Sequence, residues 1–570
     1  MPTLTWVGKD KVVNHHHDVP FRVLNKQYTF NAQHSTAQHS TAQHSTAQHS
    51  TAQHSTAQHN YTEPPLNNRI IHGDNLEALK SLLPEFEGKI NCIYIDPPYN
   101  TGNEGWVYND NVNNPKLKKW LGQVVGKEGE DLSRHDKWLC MMYPRLKLLH
   151  RLLADDGVIF VSIDDNEQAT LKLLMDDIFG LNGFITSIAW FKKVSPSNDA
   201  RWFSNDHEFI LVYAKNKVKW FPHKLDLNKK QQANYKNPDN DIRGAWNSST
   251  YTCNKTADER PNLYYPLTNP TTGFEVYPKR TAVWAYSKDL YEQHAKDNLI
   301  YWGVGGKATM PRFKTFLSES TGVVPRTVWH YDDAGHTQEA TQVLRQIISE
   351  EIFATPKPPR LIEKILHLAT DKNSIILDSF AGSGTTAHAV LKLNQDSGNR
   401  KFILIETENY AQTITAERVR RVMDGYGEGD KAVAGLGGSF DYYTVGEPLF
   451  LDDKNLNEAV GVEAIRNYVT YTEGIPAERQ AHANAQAIKV SPYALGVSDT
   501  ALWLFYYEPS KVTTLDMDFL ASLNINALLD NGGTRPEAFI VYADKCALNK
   551  DFLAKHNISF KRIPRDITKF

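Results

Sequence analysis

Residues 374–390 read SIILDSFAGSGTTAHAV and contain a short apolar run, a glycine-rich turn and the start of an apolar helix. A second apolar run, KFILIE at 401–406, follows that helix. A strand, a helix and a second strand in this order form the unit of a parallel sheet covered by helices. The stretch therefore predicts an α/β fold, and in such sheets ligands collect outside the carboxyl ends of the strands.

The glycine-rich turn is the first candidate binding site. Gly382 and Gly384 permit a tight turn with close backbone approach, and the next helix presents its N-terminus to a ligand. The turn differs from GxGxxG, and Thr385 stands where a phosphate-binding loop has its lysine. Glu406 ends the next strand, about 20 residues past the turn, where an acid would hold ribose hydroxyls. These residues predict a site for an adenosine-containing ligand, and the alternative is a purely structural turn.

The second candidate site, DPPYN at 96–100, follows the apolar run KINCIYI. Pro97 and Pro98 stiffen the backbone and lack N–H donors, while their carbonyl oxygens stay exposed. Asp96 and the Pro97 carbonyl can each accept one hydrogen of an amino group, and Tyr99 can stack on the ring that bears it. The motif predicts a receptor for a planar group with an NH₂ substituent, and the alternative is an ordinary strand followed by a turn.

Alternating strand and helix patterns surround both sites. Further strand patterns lie at 68–75, 157–165 and 208–216, and helix patterns lie at 76–83, 138–155 and 357–370. We therefore expect a parallel sheet with helices on both faces, interrupted by a large irregular insertion that ends near residue 350. From about residue 440 a further α/β segment follows, with strand patterns at 501–508 and 538–545.

Composition limits the class of protein. A chain of 570 residues predicts two to four domains, and 41% hydrophobic with 23% charged residues is typical of a soluble globular protein. No apolar run is long enough to span a membrane, and the first residues lack the apolar core of a signal peptide. The cysteines are scattered, which argues against a disulfide framework and a zinc site. We expect a reducing, cytoplasmic location and no bound metal.

Charge is distributed unevenly along the chain. The net charge is −3, but residues 190–349 hold 22 Lys and Arg against 16 Asp and Glu. The same window holds 24 aromatic residues. Basic and aromatic side chains together suit phosphate contact and base stacking, so the window is a candidate nucleic-acid interface. The alternative is an aromatic-rich domain with a mildly basic surface.

A repeat occupies residues 32–60, which read AQHST five times and then AQHN. Histidines five residues apart share no helix face, so the segment is interpreted as a low-complexity linker rather than a metal-binding array. A five-residue period arises when a five-nucleotide unit such as GCACA is read in triplets. Such tracts slip during replication, and we hypothesise that slippage switches expression on and off.

DPPY and FAGSG together resemble the hallmark motif pair of the amino-methylating DNA methyltransferases. Asp96 precedes Asp378 by 282 residues, with the basic aromatic window between them. This order resembles the beta subclass, which has a circularly permuted Rossmann-like sheet with a target-recognition region in its middle. TPKPPRLIEKIL at 355–366 resembles the PKP-type motif before the cofactor turn. DPPYNTG, the large insertion and the C-terminal part most resemble the Mod subunits of type III restriction–modification systems.

The resemblance implies a division of the chain into six parts. We expect an N-terminal segment, the repeat linker, a first core part with DPPY, a target-recognition domain, a second core part with FAGSG, and a C-terminal α/β domain for dimerisation or partner binding. The predicted bounds are 1–31, 32–60, 61–190, 191–350, 351–440 and 441–570.

The resemblance also implies two sets of site residues. The catalytic set is Asp96, Pro97, Pro98 and Tyr99. The set that binds the cofactor, S-adenosylmethionine, is Asp74, Lys357, Asp378, Phe380, Ala381, Gly382, Gly384, Thr385 and Glu406. Asp74 is expected at the cofactor's adenine or as a helix cap. Lys357 is expected at the cofactor, at DNA or at a solvated helix start, and the loop 103–134 with Lys116, Lys118 and Lys119 either closes over DNA or is a surface loop.

The function that the resemblance implies is methylation of adenine N6 in duplex DNA, with the target base flipped into the pocket. Asp96 rather than Ser favours adenine over cytosine N4, and Cys92 is interpreted as a core residue rather than a nucleophile. A homodimer and a separate helicase–nuclease subunit, Res, are the implied partners. The alternatives are an acceptor in cytosine or RNA, a non-catalytic specificity subunit and, more remotely, an NTPase.

Overall fold

The structure is a computed structural model that describes residues 4–32, 67–101, 134–198, 200–348, 353–481, 485–498, 500–529 and 534–565. The repeats beyond Ala32 and the three lysines of the loop 103–134 lie outside the described residues. The chain divides into two compact units, one of residues 222–325 and the other of the chain on either side of them.

A ten-stranded sheet organises the larger unit. Its strands are β1 (Arg22–Asn31), β2 (Asn68–His72), β3 (Ile90–Ile95), β4 (Leu153–Ile163), β5 (Phe184–Phe191), β6 (His207–Ala214), β7 (Val328–Trp329), β8 (Ile375–Asp378), β9 (Lys401–Glu406) and β10 (Ser439–Pro448). Their order in the sheet is β1-β10-β2-β9-β8-β3-β4-β6-β5-β7.

The sheet is mixed, whereas the sequence predicts a parallel one. The six strands from β10 to β4 are parallel, and they carry both candidate sites. β1 is antiparallel to β10, and β6 is antiparallel to both β4 and β5. The described residues between β5 and β6 form no helix that could serve as a parallel crossover, and these two strands pair as an antiparallel hairpin.

Helices cover both faces of this sheet, as predicted. They are α1 (Lys9–Val12), α2 (His15–Asp18), α3 (Asn75–Phe86), α4 (Arg134–Leu152), α5 (Gln168–Phe179), α6 (Tyr331–Ala334), α7 (Thr337–Ile347), α8 (Pro359–Ala369), α9 (Thr385–Leu393) and α10 (Glu417–Asp424). A single π-helical turn, Gln412–Ala416, leads into α10.

The core of the larger unit lies between the sheet and α3, α4 and α5. Ile71, Ile93 and Ile403 are fully buried against these helices. Neighbouring side chains along a strand point to opposite faces, so Ile70, Cys92 and Leu404, which are also fully buried, point to the other side. There α8 contacts β3 and α9 contacts β9. The alternation explains why these strands are apolar at almost every position.

The C-terminal part of the larger unit has its own sheet, with the predicted α/β character. Its strands in spatial order are β11 (Ala494–Val497), β12 (Ala501–Phe505), β13 (Ala538–Ala543) and β14 (Ile558–Arg562), of which only the first pair is antiparallel. The accompanying helices are α11 (Val462–Thr472), α12 (Ala485–Val490), α13 (Met517–Ala521), α14 (Asn526–Leu529) and α15 (Lys550–Lys555). Two-residue strand pairs are Gly425–Tyr426 with Val433–Ala434 and Thr514–Leu515 with Lys545–Cys546.

The smaller unit, residues 222–325, lies within the 191–350 region predicted to recognise the target. Its strands are Trp246–Thr250, Leu267–Thr268, Glu275–Val276, Ile300–Tyr301 and Arg312–Phe316, and its helices are Lys229–Gln232 and Lys288–Lys296. An aromatic cluster forms its core, with Tyr251 and Trp284 almost completely buried. Part of the aromatic enrichment in the sequence is therefore core, and the role of this unit in recognition stays a prediction.

Within the described residues, no helix is both long enough and apolar enough to cross a bilayer.

Candidate active site

Four acidic residues follow the carboxyl ends of four neighbouring parallel strands. Asp74 follows β2, Glu406 ends β9, Asp378 ends β8 and Asp96 follows β3. These strands are adjacent in the order β2-β9-β8-β3. The FAGSG turn and the DPPY motif, 282 residues apart in the sequence, are therefore placed side by side at one edge of the sheet.

Asp96 lies at the centre of a charged cluster. Its Oδ2 accepts a hydrogen bond from the Lys357 ammonium at 2.6 Å, and its Oδ1 accepts one from the Tyr99 hydroxyl at 2.8 Å. The Lys357 Nζ also lies 5.1 Å from the centre of the Tyr99 ring. Lys357, expected at the cofactor, at DNA or in solvent, is thus a direct partner of the DPPY carboxylate.

Glu208 is a site residue that the sequence analysis missed. Its Oε2 lies 3.0 Å from the Tyr99 hydroxyl oxygen, whose single hydrogen can go to either Asp96 or Glu208, and 3.6 Å from the Lys357 Nζ. Its Oε1 binds the Lys192 ammonium at 3.0 Å. The side chains of Lys357 and Glu208 are 10% and 8% exposed, whereas that of Asp96 is 23% exposed and so remains open to a substrate. The only sequence signal was a charged residue inside an apolar strand.

The electrostatics of the two carboxylates differ. Burial raises the pKa of Asp96, and the Lys357 ammonium offsets only part of that rise. Burial also acts to raise the pKa of Glu208, but the ammonium groups of Lys357 and Lys192 outweigh it and hold the pKa below its usual value. The environment therefore favours the protonated form of Asp96 and the ionised form of Glu208.

The backbone of DPPYN is fixed by buried contacts. The Trp138 indole N–H donates to the Pro98 carbonyl at 2.6 Å. Asn100 is completely buried and adopts a left-handed conformation with φ of 57°, and its amide contacts Arg134 and Glu167. No described residue donates to the Pro97 carbonyl, which leaves it as the backbone acceptor beside Asp96.

The FAGSG turn needs glycine at two positions. Gly382 and Gly384 have φ values of 51° and 79°, in the left-handed region that other residues rarely adopt. A Cβ at Gly382 would lie 3.1 Å from the Phe353 ring, and one at Gly384 would lie 3.1 Å from the Thr415 carbonyl oxygen. The turn is further tied to β9 by a hydrogen bond from Ala381 N–H to a backbone carbonyl at 3.1 Å.

Asp378 and Glu406 are buried carboxyl groups on either side of this turn. Asp378 accepts hydrogen bonds from the Phe380 N–H at 3.1 Å and from the Thr386 hydroxyl at 2.5 Å. Glu406 accepts from the Gly382 N–H at 2.8 Å and from the Glu408 N–H, just past the end of β9, at 3.0 Å. Burial raises the pKa of each carboxyl to about 7. The Tyr410 side chain also hydrogen-bonds Glu406, and since a carboxylate has about four acceptor positions, each group keeps at least one for a ligand hydroxyl.

Asp74 caps helix α3, since its Oδ1 accepts from the backbone N–H of Leu76 at 2.8 Å and of Glu77 at 3.3 Å. Its side chain remains 44% exposed, so capping leaves room for a ligand contact. The neighbouring Asn75 is buried and donates to the Ser379 carbonyl at 3.0 Å. The start of α3 thus helps to fix Ser379, which lies between Asp378 and Phe380.

Thr385 and the buried Arg418 stabilise the FAGSG turn through side-chain hydrogen bonds. The Arg418 guanidinium donates to the Thr385 hydroxyl at 2.7 Å and to the Ser383 hydroxyl at 2.8 Å. Thr385 in turn donates to the Lys357 carbonyl at 3.2 Å, which links the turn to the lysine at Asp96. Thr385 is therefore a bridging residue between the two motifs.

Cys92 is fully buried within β3, and burial raises the pKa of its thiol, as expected of a core residue. Within the described parts of the chain, no group of three or more potential ligands from His, Cys, Asp and Glu is placed to hold a metal ion.

A family model described as DNA methylase matches residues 90–417, more than half of the chain. The protein belongs to this family. The match spans β3 to the start of α10 and includes DPPY, Glu208, Lys357 and FAGSG. The sequence resemblance to DNA methyltransferases is therefore confirmed at the level of the family.

Curated relatives of this DNA methylase include two type III Mod subunits. The chain is 36% identical over 387 residues to the StyLTI Mod subunit of Salmonella typhimurium and 32% identical over 384 residues to the EcoPI Mod subunit of Escherichia phage P1. These alignments cover 62% and 60% of this chain, but only 57% of either relative. The type II methyltransferase M.KpnI of Klebsiella pneumoniae is 33% identical, over 60% of this chain and 81% of its own.

Proposed function

We propose that this DNA methylase transfers a methyl group from S-adenosylmethionine to N6 of adenine at specific sites in duplex DNA, in the cytoplasm. The observation that carries the proposal is the placement of Asp96 beside the FAGSG turn, at the carboxyl ends of adjacent strands. A hydrogen-bond acceptor for an amino group and a binding site for an adenosine-containing ligand therefore lie at the same edge of the sheet.

The residues around the turn fit the cofactor. Glu406 and Asp378 each keep acceptor capacity for hydroxyl or amino donors, and the left-handed glycines bring the backbone close to the ligand. Phe380 and Ala381 would line the methionine and ribose, and Asp74 would reach the adenine. When bound, S-adenosylmethionine supplies an electrophilic methyl group on a sulfonium.

The DPPY residues would hold the target base after it leaves the duplex. Asp96 and the Pro97 carbonyl accept the two hydrogens of the amino group, which favours the pyramidal geometry in which the nitrogen lone pair is available. Tyr99 stacks on the ring, and the stiff Pro97–Pro98 backbone keeps the amino nitrogen in line with the methyl group. Because burial raises its pKa, Asp96 can also accept the proton that the nitrogen loses.

Entry of the base requires Asp96 to exchange partners. Lys357 and Tyr99 now occupy its two oxygens, and both also reach Oε2 of Glu208. We infer that they turn toward Glu208 when the amino group arrives. The Lys192 ammonium holds the other oxygen of Glu208 and keeps Oε2 directed at the site.

Asp96→Ala tests this proposal. With labelled S-adenosylmethionine and duplex DNA, the wild-type protein should place label on adenine N6, and the variant should lose at least about a thousandfold in rate while still binding the cofactor. Asp176→Asn is a matched control, because Asp176 binds a lysine at 2.7 Å and a tyrosine hydroxyl at 2.8 Å away from the two motifs. Label that persists in Asp96→Ala would refute the assignment of Asp96.

Two alternatives to adenine-N6 methylation predict different outcomes. One is methylation of another acceptor, and the other is no methyl transfer at all. Digestion and mass analysis of the modified nucleic acid would distinguish adenine N6 from cytosine N4 and DNA from RNA. A non-catalytic specificity subunit would bind DNA without transferring label to any acceptor. The side chain of Asp96 is 23% exposed beside the FAGSG turn, so a substrate amino group can reach it, and this favours a catalytic role.

The system to which the protein belongs is also a proposal. Similarity to two Mod subunits suggests the modification and recognition subunit of a type III restriction–modification system, which forms a homodimer and joins a Res helicase–nuclease subunit. The similarity to M.KpnI suggests instead a methyltransferase that acts without Res. Size-exclusion chromatography of the protein alone and co-expressed with Res would distinguish these assemblies.

The AQHST repeats support phase-variable expression. If the coding tract is an iterated pentanucleotide, loss or gain of one unit shifts the reading frame. Sequencing single colonies should then reveal tract lengths that correlate with the presence or absence of methylated adenine. A tract of invariant length, or one that is not an iterated pentanucleotide, would contradict this idea.

A further inference from the structure

The loop between β5 and β6, residues 192–206, begins at the same sheet edge as Asp96. β5 and β4 both run antiparallel to β6, so they point in the same direction. β4 is parallel to β3, which ends immediately before Asp96. The carboxyl ends of β3, β4 and β5 therefore lie together, and this loop extends beyond the edge where the base would be held.

The base of the loop is part of the active-site cluster. Lys192 and Glu208, which stand on either side of the loop, bind each other at 3.0 Å. Glu208 Oε2 in turn lies 3.0 Å from the Tyr99 hydroxyl oxygen. The base of the loop is thus connected to the DPPY motif through the buried Glu208.

Hydrogen bonds across the loop give its tip a defined conformation. The backbone N–H of Ser197 donates to the Ser204 hydroxyl at 2.8 Å, and the Lys193 ammonium donates to the Ser197 hydroxyl at 2.9 Å. The Asn205 amide donates to Asp165, just past the end of β4, at 3.1 Å. These contacts hold residues 201–203 away from the sheet.

Two adjacent aromatic side chains stand exposed at this tip. Trp202 is 81% exposed and Phe203 is 95% exposed, and the Arg201 guanidinium lies 5.3 Å from the centre of the Trp202 ring. Large neighbouring rings left in water mark a binding surface. The arginine beside them matches a phosphate, and the rings match stacked bases.

We propose that Trp202 and Phe203 insert into the DNA beside the target base and fill the stack when that base leaves it. The inference rests on the proposed function, and it names the part of the protein that opens the duplex. Extruding a base loses its stacking on both sides, and apolar side chains wedged between base steps replace part of that loss. The two rings extend from the sheet edge that would receive the target base. Insertion of the rings and extrusion of the base can therefore occur together when the protein binds DNA.

The test uses the full chain with Trp202→Ala, Phe203→Ala and the double variant. The substrate is a duplex that contains the adenine methylated by the wild-type protein. Phe221→Ala is the control, because Phe221 is 72% exposed but follows β6, whose carboxyl end lies at the opposite edge of the sheet. We expect each ring to contribute about tenfold to the methylation rate at subsaturating DNA, with cofactor affinity unchanged in every variant.

A second substrate separates insertion from simple affinity. With an abasic position opposite the target, the adenine is already unpaired and easier to extrude, so the double variant should recover most of the wild-type rate. Wild-type activity of the double variant on paired DNA would overturn the inference, as would an equal loss on both substrates. If the wild-type protein methylates no adenine in any duplex, the proposed function is refuted instead, whatever the rings do.

Discussion

At the scale of single residues, we expect the burial of Glu406 to make cofactor binding depend on pH. Its carboxyl group is buried beside the FAGSG turn, and burial raises its pKa from about 4.5 to about 7. An ionised carboxylate accepts hydrogen bonds from ribose hydroxyls more strongly than the neutral acid does. Cofactor affinity should therefore increase as the pH rises through about 7, by up to about tenfold per unit below that value. Calorimetric titration between pH 6 and 8.5 would measure it.

The same residue should affect stability in the opposite direction. Because the pKa of Glu406 is higher in the folded than in the unfolded chain, its contribution to the free energy of unfolding is full below about pH 4.5 and is lost as the pH rises through about 7. Glu406→Gln should remove this pH dependence and weaken cofactor binding. Because an amide nitrogen cannot accept a hydrogen bond, Gln also loses the contact with the N–H of either Gly382 or Glu408, so the test is the difference in Tm between wild type and variant. This difference should be larger at pH 5 than at pH 8, and a difference that is the same at both pH values would contradict the raised pKa.

Glu208 offers a second test at this scale. Glu208→Gln keeps the size of the side chain but removes the charge to which Lys357 and Tyr99 would turn. We expect kcat to fall about tenfold, equivalent to about 1.4 kcal/mol, with little change in cofactor affinity. Asp176→Asn, which removes a similar lysine and tyrosine pairing elsewhere, should leave kcat unchanged. Unchanged kcat in Glu208→Gln would exclude a positioning role.

At the scale of elements, the strand–turn–helix unit of β8 and α9 depends on the conformation of Gly384. Gly384→Ala would place a Cβ 3.1 Å from the Thr415 carbonyl at a φ of 79°. The strain should reduce stability by about 1–2 kcal/mol and weaken cofactor binding. Gly429→Ala is the control, since its φ is also positive, at 56°, but a Cβ there would meet no atom within 4 Å. Thermal unfolding and cofactor titration of both variants would separate strain from contact, and equal losses would show that the contact is unimportant.

The elements also show how far the sequence predicts the structure. Helix α9 and strand β9 lie at the predicted residues, because apolar runs ended by glycine or acidic residues are local signals. The antiparallel pairing of β5 with β6 was not predictable, because apolar strands of this kind occur in both parallel and antiparallel pairs. β1 was missed because it is largely polar, and its partner β10 lies more than 400 residues away.

The residues of the candidate site also differ in how far the sequence predicts them. Asp96, Glu406 and the glycines were predictable because each stands at a strand end or turn with a recognisable pattern. Glu208 and Lys192 have no such pattern, and only the return of β6 alongside β4 brings them to Asp96. A residue that acts through tertiary proximity leaves at most a weak local signal, which for Glu208 is a charge inside an apolar strand.

At the scale of the whole molecule, the position of the repeats relative to the sheet has a genetic consequence. β10 lies between β1 and β2, and Asn31 pairs with Ser439 while Asn68 pairs with Phe440. The connection that contains the repeats therefore leaves and rejoins the sheet at points roughly 10 Å apart.

A connection whose two ends lie this close together can be lengthened with little loss of stability, because doubling its length adds only about 0.6 kcal/mol of closure entropy. Every in-frame number of AQHST copies should thus yield the same enzyme. Under the proposed phase variation, the number of repeats would then affect expression through the reading frame alone. Selection on tract length would act on switching rather than on the stability of the folded enzyme.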